Sequence, residues 1–294
     1  IEGTPVVAGG GDCAAQAVGS SIVEEGKVSV TLGTSGVVFA QSDEYRVEPN
    51  GNLHSFCHAV PGKWHLMGVM LSAAGSFQWY KNQFGLEEQK IENEGGVNAY
   101  ETLTKQAEQV KAGSEGLFFL PYLSGERTPH PDPYARACFI GMSLRHQKQH
   151  HTRAVLEGVS YGLNDSLSLM RKLGVNPSEI ILSGGGSRSR LWKQMLADVF
   201  ATPCAMVNAL EGAAYGAAKG ALVNLTKTLA IEWGPKIKVN SIIVGYIETE
   251  NSVLHYGSKS EIKKVAKTIP LKRMGQPQDI ANACIFFASN MAEW

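Results

Sequence analysis

Hydrophobic and polar positions follow two rhythms along this chain. Short β-rich runs stand at Lys27 to Leu32, Val37 to Ala40, Trp64 to Met70, Leu117 to Tyr122 and Glu179 to Leu182, and each predicts a strand. Helical periods lie between them. The longest covers Thr152 to Leu173, where Ala154, Val155, Val159, Leu163, Leu167 and Met170 recur at three- and four-residue steps and Gly174 supplies a stop. Further helices are predicted from about Ser72 to Phe84, Asn98 to Lys111 and Leu191 to Phe200. At the start, Val6 to Ala8 reads as a strand feeding a glycine turn and a helix over Cys13 to Val18. Beyond Gly212 a small-residue stretch leads into a helix at Leu222 to Ala230, a β-branched strand at Lys238 to Val244, and helices around Ser260 to Lys267 and Pro277 to Asn290. Strands, tight turns and helices in alternation are the pattern of an α/β chain.

Length and charge refine that picture. The 294 residues are enough for about two domains. Basic and acidic residues balance at 27 each, which argues against a uniformly basic nucleic-acid binder. The balance is uneven along the chain. Residues 1–212 carry 17 basic and 21 acidic side chains, and residues 213–294 carry 10 and 6, a first hint of two origins. Five scattered cysteines without a CxxC pair point away from a disulfide framework or zinc cluster and toward a reducing cytoplasm. No apolar run approaches the roughly 18–20 residues of a membrane span, and no basic-apolar leader precedes the first strand, so the expectation is a cytoplasmic chain without membrane partners. Its opening on Ile1 and end at Trp294 read as an excerpt.

The chemistry-bearing positions cluster on three glycine-rich turns that follow strands: Gly9-Gly10-Gly11-Asp12, Gly33-Thr34-Ser35-Gly36 and Gly184-Gly185-Gly186-Ser187. Backbone N–H groups converging in such a turn can hold phosphate oxygens, and glycine lets the ligand come close. A helix opening after the third turn adds a favourable positive end for an anion. Asp12 cannot bind phosphate by charge; it suits a base toward a hydroxyl nucleophile or a partner of Mg²⁺. Any one turn could be ordinary, and Gly9, Gly11 and Ala14 even meet the loose dinucleotide pattern G-x-G-x-x-G/A. Three in order, one with a carboxylate, point to phosphoryl transfer. The absence of G-x-x-x-x-G-K-[ST] excludes a P-loop.

On these residues the chain resembles the FGGY carbohydrate kinases, and among them the xylulokinase-like members. The resemblance rests on Gly9 to Asp12, Thr31 to Gly36, Leu120-Pro121-Tyr122-Leu123-Ser124-Gly125-Glu126-Arg127-Thr128-Pro129, Arg153 to Val159, Gly184 to Ser187 and Glu211 to Ala218. It covers about 1–218. It implies an actin-like, ribonuclease-H-like ATPase fold in which sugar and ATP meet in a cleft. By position, Asp12 would deprotonate the sugar hydroxyl. Gly33, Thr34, Ser35 and Gly36 would lie at the β- and γ-phosphates. Gly184, Gly185, Gly186 and Ser187 would flank the adenosine, with Mg²⁺ neutralising developing charge. The implied reaction is ATP-dependent phosphorylation of a ketopentose, xylulose to xylulose 5-phosphate.

The family carries a whole domain before the Asp12 segment; here about 27 residues stand in its place. Residues 1–27 are therefore expected to be a remnant of that domain and 28–214 the ATP-binding domain. Residues 215–294 resemble short-chain dehydrogenase/reductases instead. Tyr215 and Lys219 form Y-x-x-x-K, and Leu222 to Pro235, Val239-Asn240, Gly245 to Thr249 and Pro270 to Gly275 continue the likeness. Lysine one helical turn from tyrosine can lower the phenol pKa, so Tyr215 and Lys219 are the alternative catalytic pair of an NAD(P)-dependent enzyme. The family's nucleotide turn and catalytic serine segment are missing, and a partial Rossmann-like segment is expected. Such an open half-sheet would pair with another copy as a homodimer, aggregate, or stay loosely ordered. The junction is placed within Tyr215 to Ala218, and an inactive chimera is the third reading.

Other polar features receive ordinary readings. His150-His151 is expected to be a solvated pair, His130 a loop packing residue, Lys263, Lys264 and Lys267 a solvated face, and Trp79, Trp192 and Trp233 core or half-core. No metal-ligating cluster is expected.

Overall fold

In the computed structural model the described residues are 11–206, 247–248, 252, 258–268 and 271–288. The chain divides into two compact units, Gly10–Tyr215, and Ile1–Gly9 with Gly216–Trp294.

The larger unit is built on one six-stranded sheet. Its strands are β1 (Lys27–Leu32), β2 (Gly36–Ser42), β3 (His54–Cys57), β4 (Trp64–Met70), β7 (Glu179–Ser183) and β8 (Cys204–Met206), in the order β3-β4-β2-β1-β7-β8. Neighbours among the first four are antiparallel, while β1, β7 and β8 run parallel. Short turns join β1 to β2 and β3 to β4, while β3 itself lies in the chain between the paired β2 and β4. The parallel pair β1 and β7 instead needs a long connection, which holds helices α2 (Ala74–Phe84), α3 (Leu86–Asn93), α4 (Ala99–Glu108) and α5 (Lys148–Lys172) and the ribbon of β5 (Phe118–Leu120) and β6 (Cys138–Ile140). Helix α6 (Arg190–Phe200) then joins β7 to β8.

Both faces of the sheet are covered, and the alternation of side chains shows by what. Val38 and Ala40 of β2 and Ile180 and Leu182 of β7 enter the main core with Leu156, Val159, Leu163 and Leu167 of α5. The opposite parity, Val37, Phe39 and Ile181, packs under Ala14, Ala17 and Ile22 of the α1 (Asp12–Gly19) region. Helix α5 has 25 residues and buries the stripe foreseen from its spacing. Gly158, Gly162 and Ser166 lie one turn apart and admit neighbours at close range. A Cβ on Gly158 would stand 2.1 Å from the Phe119 carbonyl oxygen, and one on Gly162 2.6 Å from Met70 Cε. Strand β4 reciprocates with Gly68, against Ser166.

The elements foreseen from the pattern reappear within a few residues, including α4, whose N-cap is Asn98. The run Leu117 to Tyr122, expected as a buried strand, forms a strand that is only partly buried: of β5, Phe119 is buried and Phe118 and Leu120 are exposed, because the strand pairs with β6 as a separate two-stranded ribbon. The histidine pair also differs. His150 is buried in the first turn of α5, where its Nδ1 accepts from the Gln147 N–H at 3.0 Å.

In the smaller unit, α7 (Lys259–Thr268) and α8 (Pro277–Ala288) are the helices among the described residues. Lys263, Lys264 and Lys267 are exposed, and Arg273 holds Asp279 through two bonds of 2.7 and 3.1 Å. The expected elements at 6–8, 222–230 and 238–244, with Tyr215, Lys219 and Trp233, lie outside the described residues. No described helix is long and apolar enough to cross a membrane. All five cysteines are free thiols.

Candidate functional site

Strands β1 and β7 lie side by side and parallel, with Thr31 opposite Ser183. Their carboxyl ends therefore release the 33–36 and 184–187 turns next to one another. In open α/β sheets this edge is where ligands bind. A cleft of about 1000 Å³ opens there, wide enough for a nucleotide-sized ligand. Its floor is Gly33, Thr34, Gly185 and Gly186. Gln78 of α2, Tyr100 and Thr104 of α4 and the start of α6 through Trp192 make its walls.

The turn at 33–36 is set by the helix that follows β4. The N–H groups of Ala73 and Gly75 donate to the Thr34 carbonyl at 2.9 and 3.1 Å, and that of Ala74 donates to the Gly33 carbonyl at 2.9 Å. In a trans peptide the C=O and the next N–H point opposite ways. Drawing the carbonyls of Gly33 and Thr34 onto α2 therefore turns the N–H groups of Thr34 and Ser35 away from it. The amides opening α2 are consumed, so that helix end is not itself an anion site. Thr34 and Ser35 are exposed, whereas Gly36 is buried in β2, where a Cβ would meet Leu163 and Ala73 at 2.7 and 2.8 Å.

The second turn is divided in a similar way. Gly184 has φ +88°, and a Cβ there would stand 2.5 Å from the Leu32 carbonyl oxygen, so it is the residue that lets the turn leave the sheet. Gly185 faces open space. Gly186 rests against Leu32 and Trp192. Ser187 is buried and donates its hydroxyl to the Gly184 carbonyl at 2.7 Å. A short 3-10 turn, Gly185–Arg188, intervenes before α6, whose N-cap is Ser189 at 3.2 Å from the Trp192 N–H. Trp192 is held by its indole N–H, which donates to the Leu156 carbonyl and Ser160 hydroxyl, both at 3.1 Å. The far wall is fixed by a buried ion pair: Arg153 binds Glu157 at 2.7 Å and the Val110 carbonyl just beyond α4 at 2.7 Å.

Asp12 is exposed at the first turn of α1 and accepts from the Cys13 N–H at 2.8 Å. It is not among the residues lining the cleft. Its helix is nonetheless tied to that edge of the sheet. Gln16, one turn on and on the same helix face, donates to Ser183 Oγ at 3.0 Å and Thr31 Oγ1 at 3.3 Å, and those two hydroxyls are 3.0 Å apart. Burial, then the neighbouring Asp12 charge, pushes the Cys13 thiol up to about 11, so it stays protonated at neutral pH.

Four of the sequence-derived positions thus share the cleft: Gly33, Thr34, Gly185 and Gly186. Gly36, Gly184 and Ser187 shape the turns from behind. Sequence reading passed over Gln16 and the α2 clamp, and gave Thr31 and Ser183 no role of their own. The polar parity of Thr31 and Ser183 at the ends of two apolar runs was the available signal. Among the described residues no three acidic, histidine or cysteine side chains converge as a metal cage. A divalent cation accompanying a nucleotide here would be held chiefly through the phosphates, the usual way such ions are held in nucleotide sites.

The model of the C-terminal domain of the FGGY family of carbohydrate kinases matches residues 28–225. A model described as enoyl-(acyl carrier protein) reductase matches 200–294. Xylulose kinase of Escherichia coli is 47% identical over 195 residues, 66% of this chain and 38% of that protein. Xylulose kinase of Bacillus subtilis is 36% identical over 218 residues, 74% of this chain and 42% of the relative. The crystal structure of a xyloylose kinase from Brucella ovis has a TM-score of 0.63 at 36% identity, covering 84% of this chain and 48% of its own. The chain therefore spans about two fifths of the length of these curated relatives.

Proposed function

Because the chain belongs to the FGGY family of carbohydrate kinases, we propose that it is the nucleotide-binding part of an enzyme that phosphorylates a ketopentose, xylulose, at the expense of ATP. The observation that carries this reading is the juxtaposition of the 33–36 and 184–187 turns on one cleft at the carboxyl ends of two parallel strands. In it the phosphates lie along Gly33, Thr34 and Ser35 with Mg²⁺ bound to them, and the nucleoside lies by Gly185 and Gly186 under Trp192. Gly36, Gly184 and Ser187 hold the turns in shape. Asp12 is the base for the sugar hydroxyl. Phosphoryl transfer depends on positioning, so nucleotide binding and turnover are measured separately. Titration with Mg-ADP and Mg-ATP, followed by coupled turnover with xylulose, tests this. Silence in both removes the reading.

A second reading concerns 215–294, and the reductase match over 200–294 favours it. The family and reductase matches overlap between 200 and 225, which supports a junction near Tyr215 to Ala218 and a tail of short-chain reductase type. Tyr215 and Lys219 would be its acid/base pair, and two tails would pair as a homodimer. Quenching or enhancement of NADH fluorescence supports the oxidoreductase activity; an unchanged signal rejects it and leaves the tail an inactive appendage. The five free thiols fit a cytoplasmic home.

A further inference from the structure

The segment Ser124 to Thr128, one of the stretches that carry the family resemblance, is not among the residues lining the cleft. It is bound instead to the joint between β4 and α2. Thr128 N–H donates to the Val69 carbonyl at 3.0 Å. Glu126 Oε1 accepts from the Leu71 N–H at 3.0 Å and from the Arg127 N–H at 2.7 Å. Ser124 Oγ and Ser72 Oγ are 3.1 Å apart. The segment is itself braced, since the Glu126 and Asp132 backbones exchange bonds of 2.9 and 3.1 Å. Glu126 is buried, at 4% exposure, and a buried carboxyl is costly unless it works for its place.

What lies one step beyond the joint decides its role. Residues 71 and 72 lead directly into Ala73, Ala74 and Gly75, the three amides that hold the carbonyls of Gly33 and Thr34. Ser76 adds a bond from its hydroxyl back to the Ser72 carbonyl at 2.5 Å. We propose that Glu126 is a positioning residue for the 33–36 turn: by holding Leu71 N–H it sets the β4–α2 joint, and the joint sets which way the turn's peptide groups face. This rests on the reading of that turn as the phosphate contact.

Amide hydrogen exchange on the full chain separates the two claims, because it reads the turn whether or not nucleotide binds. Glu126→Ala is expected to raise exchange at Leu71 and, decisively, at Ala73, Ala74 and Gly75, the amides bonded to the carbonyls of the turn, by about tenfold or more, with the protection of α5 and α6 unchanged. Glu126→Gln keeps an oxygen acceptor and is expected to restore protection. Ser124→Ala cuts a neighbouring tie and should raise exchange at the same amides only about two- to threefold. Leu167→Ala, a core cavity far along α5, supplies loss of global stability without a change at the turn. Mg-ADP affinity should follow the same order, weakened by Glu126→Ala, rescued by Glu126→Gln and untouched by Leu167→Ala at a temperature where it is folded. If Glu126→Ala leaves the Ala73, Ala74 and Gly75 amides as protected as in the parent, or Glu126→Gln and Leu167→Ala expose them equally, the proposal is overturned. If Glu126→Ala does not fold, Glu126→Gln with Ser124→Ala decides on the same criteria. A parent chain that binds no Mg-ADP sinks the phosphate reading, while the exchange pattern still judges the positioning.

Discussion

The two glycine turns at the cleft look alike in sequence and do different work in the structure. At 33–36 the shape is imposed from outside: α2 grips two carbonyls, and Gly36 is small because Leu163 and Ala73 press on it. At 184–187 the shape is internal: Gly184 takes a positive φ against Leu32, and the Ser187 hydroxyl closes the turn on the Gly184 carbonyl. In each turn some glycines make room for protein and others leave room for a ligand. A glycine-rich motif is thus a mixture of packing and binding positions, which substitution can separate.

The largest effect is expected at Gly184. Alanine there meets both the φ of +88° and the Leu32 backbone at 2.5 Å. Backbone cannot retreat as a side chain can, so a loss of about 3 kcal/mol or more is expected. Denaturant unfolding of Gly184→Ala measures it, and a midpoint equal to the parent's would show that the turn is not internally fixed. Gly36→Ala should cost less, about 1–3 kcal/mol. Its contacts are side chains, Leu163 Cδ2 at 2.7 Å and Ala73 Cβ at 2.8 Å, and the leucine can yield. A larger loss at Gly36 than at Gly184 would reverse the ranking of the two turns.

Much of this architecture was legible from periodicity. The stripe on α5 and the runs that become β1, β2, β4 and β7 are long or apolar enough to state their own burial. The four-residue β3 and three-residue β6 and β8 have too few positions to show a period, and α3 is polar on most sides. The turns were visible as motifs, but the split among their glycines depends on Leu32, Leu163 and Trp192, distant in sequence. Burial of His65 was invisible for the same reason. It stacks on Phe39 with ring centroids 4.4 Å apart, and burial first, then the nearby His58, lowers its pKa to about 4. The importance of Leu120 to Pro129 was plain as a resemblance, but its attachment to the β4–α2 joint was not.

The dependence of the first turn on an outside support also predicts a pH effect. Burial raises the Glu126 pKa to about 6 against the opposing pull of the Arg127, Leu71 and Thr128 backbone. A carboxyl that holds its proton more tightly when folded gives its full stability below the ordinary value near 4.5 and loses it as pH rises through about 6. The chain should therefore lose up to about 2 kcal/mol relative to Glu126→Gln between pH 4.5 and 7. Parallel unfolding curves for the two proteins across that range check it; a constant difference would mean that Glu126 does not titrate there.

The smallest effect on stability falls at Gly185, and it separates binding from packing most cleanly. A Cβ at this position meets nothing within 4 Å, and the residue lines the cleft. Gly185→Ala should therefore unfold within about 0.5 kcal/mol of the parent, as an open surface site does. If a nucleotide lies across that backbone, the added methyl occupies space the ligand needs, and Mg-ADP affinity should fall about tenfold while the melting curve stays put. Gly184→Ala shows the reverse where it folds: stability falls first, and affinity only as the turn distorts. Equal affinity of Gly185→Ala and the parent would place the ligand elsewhere in the cleft, because no rearrangement of the protein is needed to accept that methyl group.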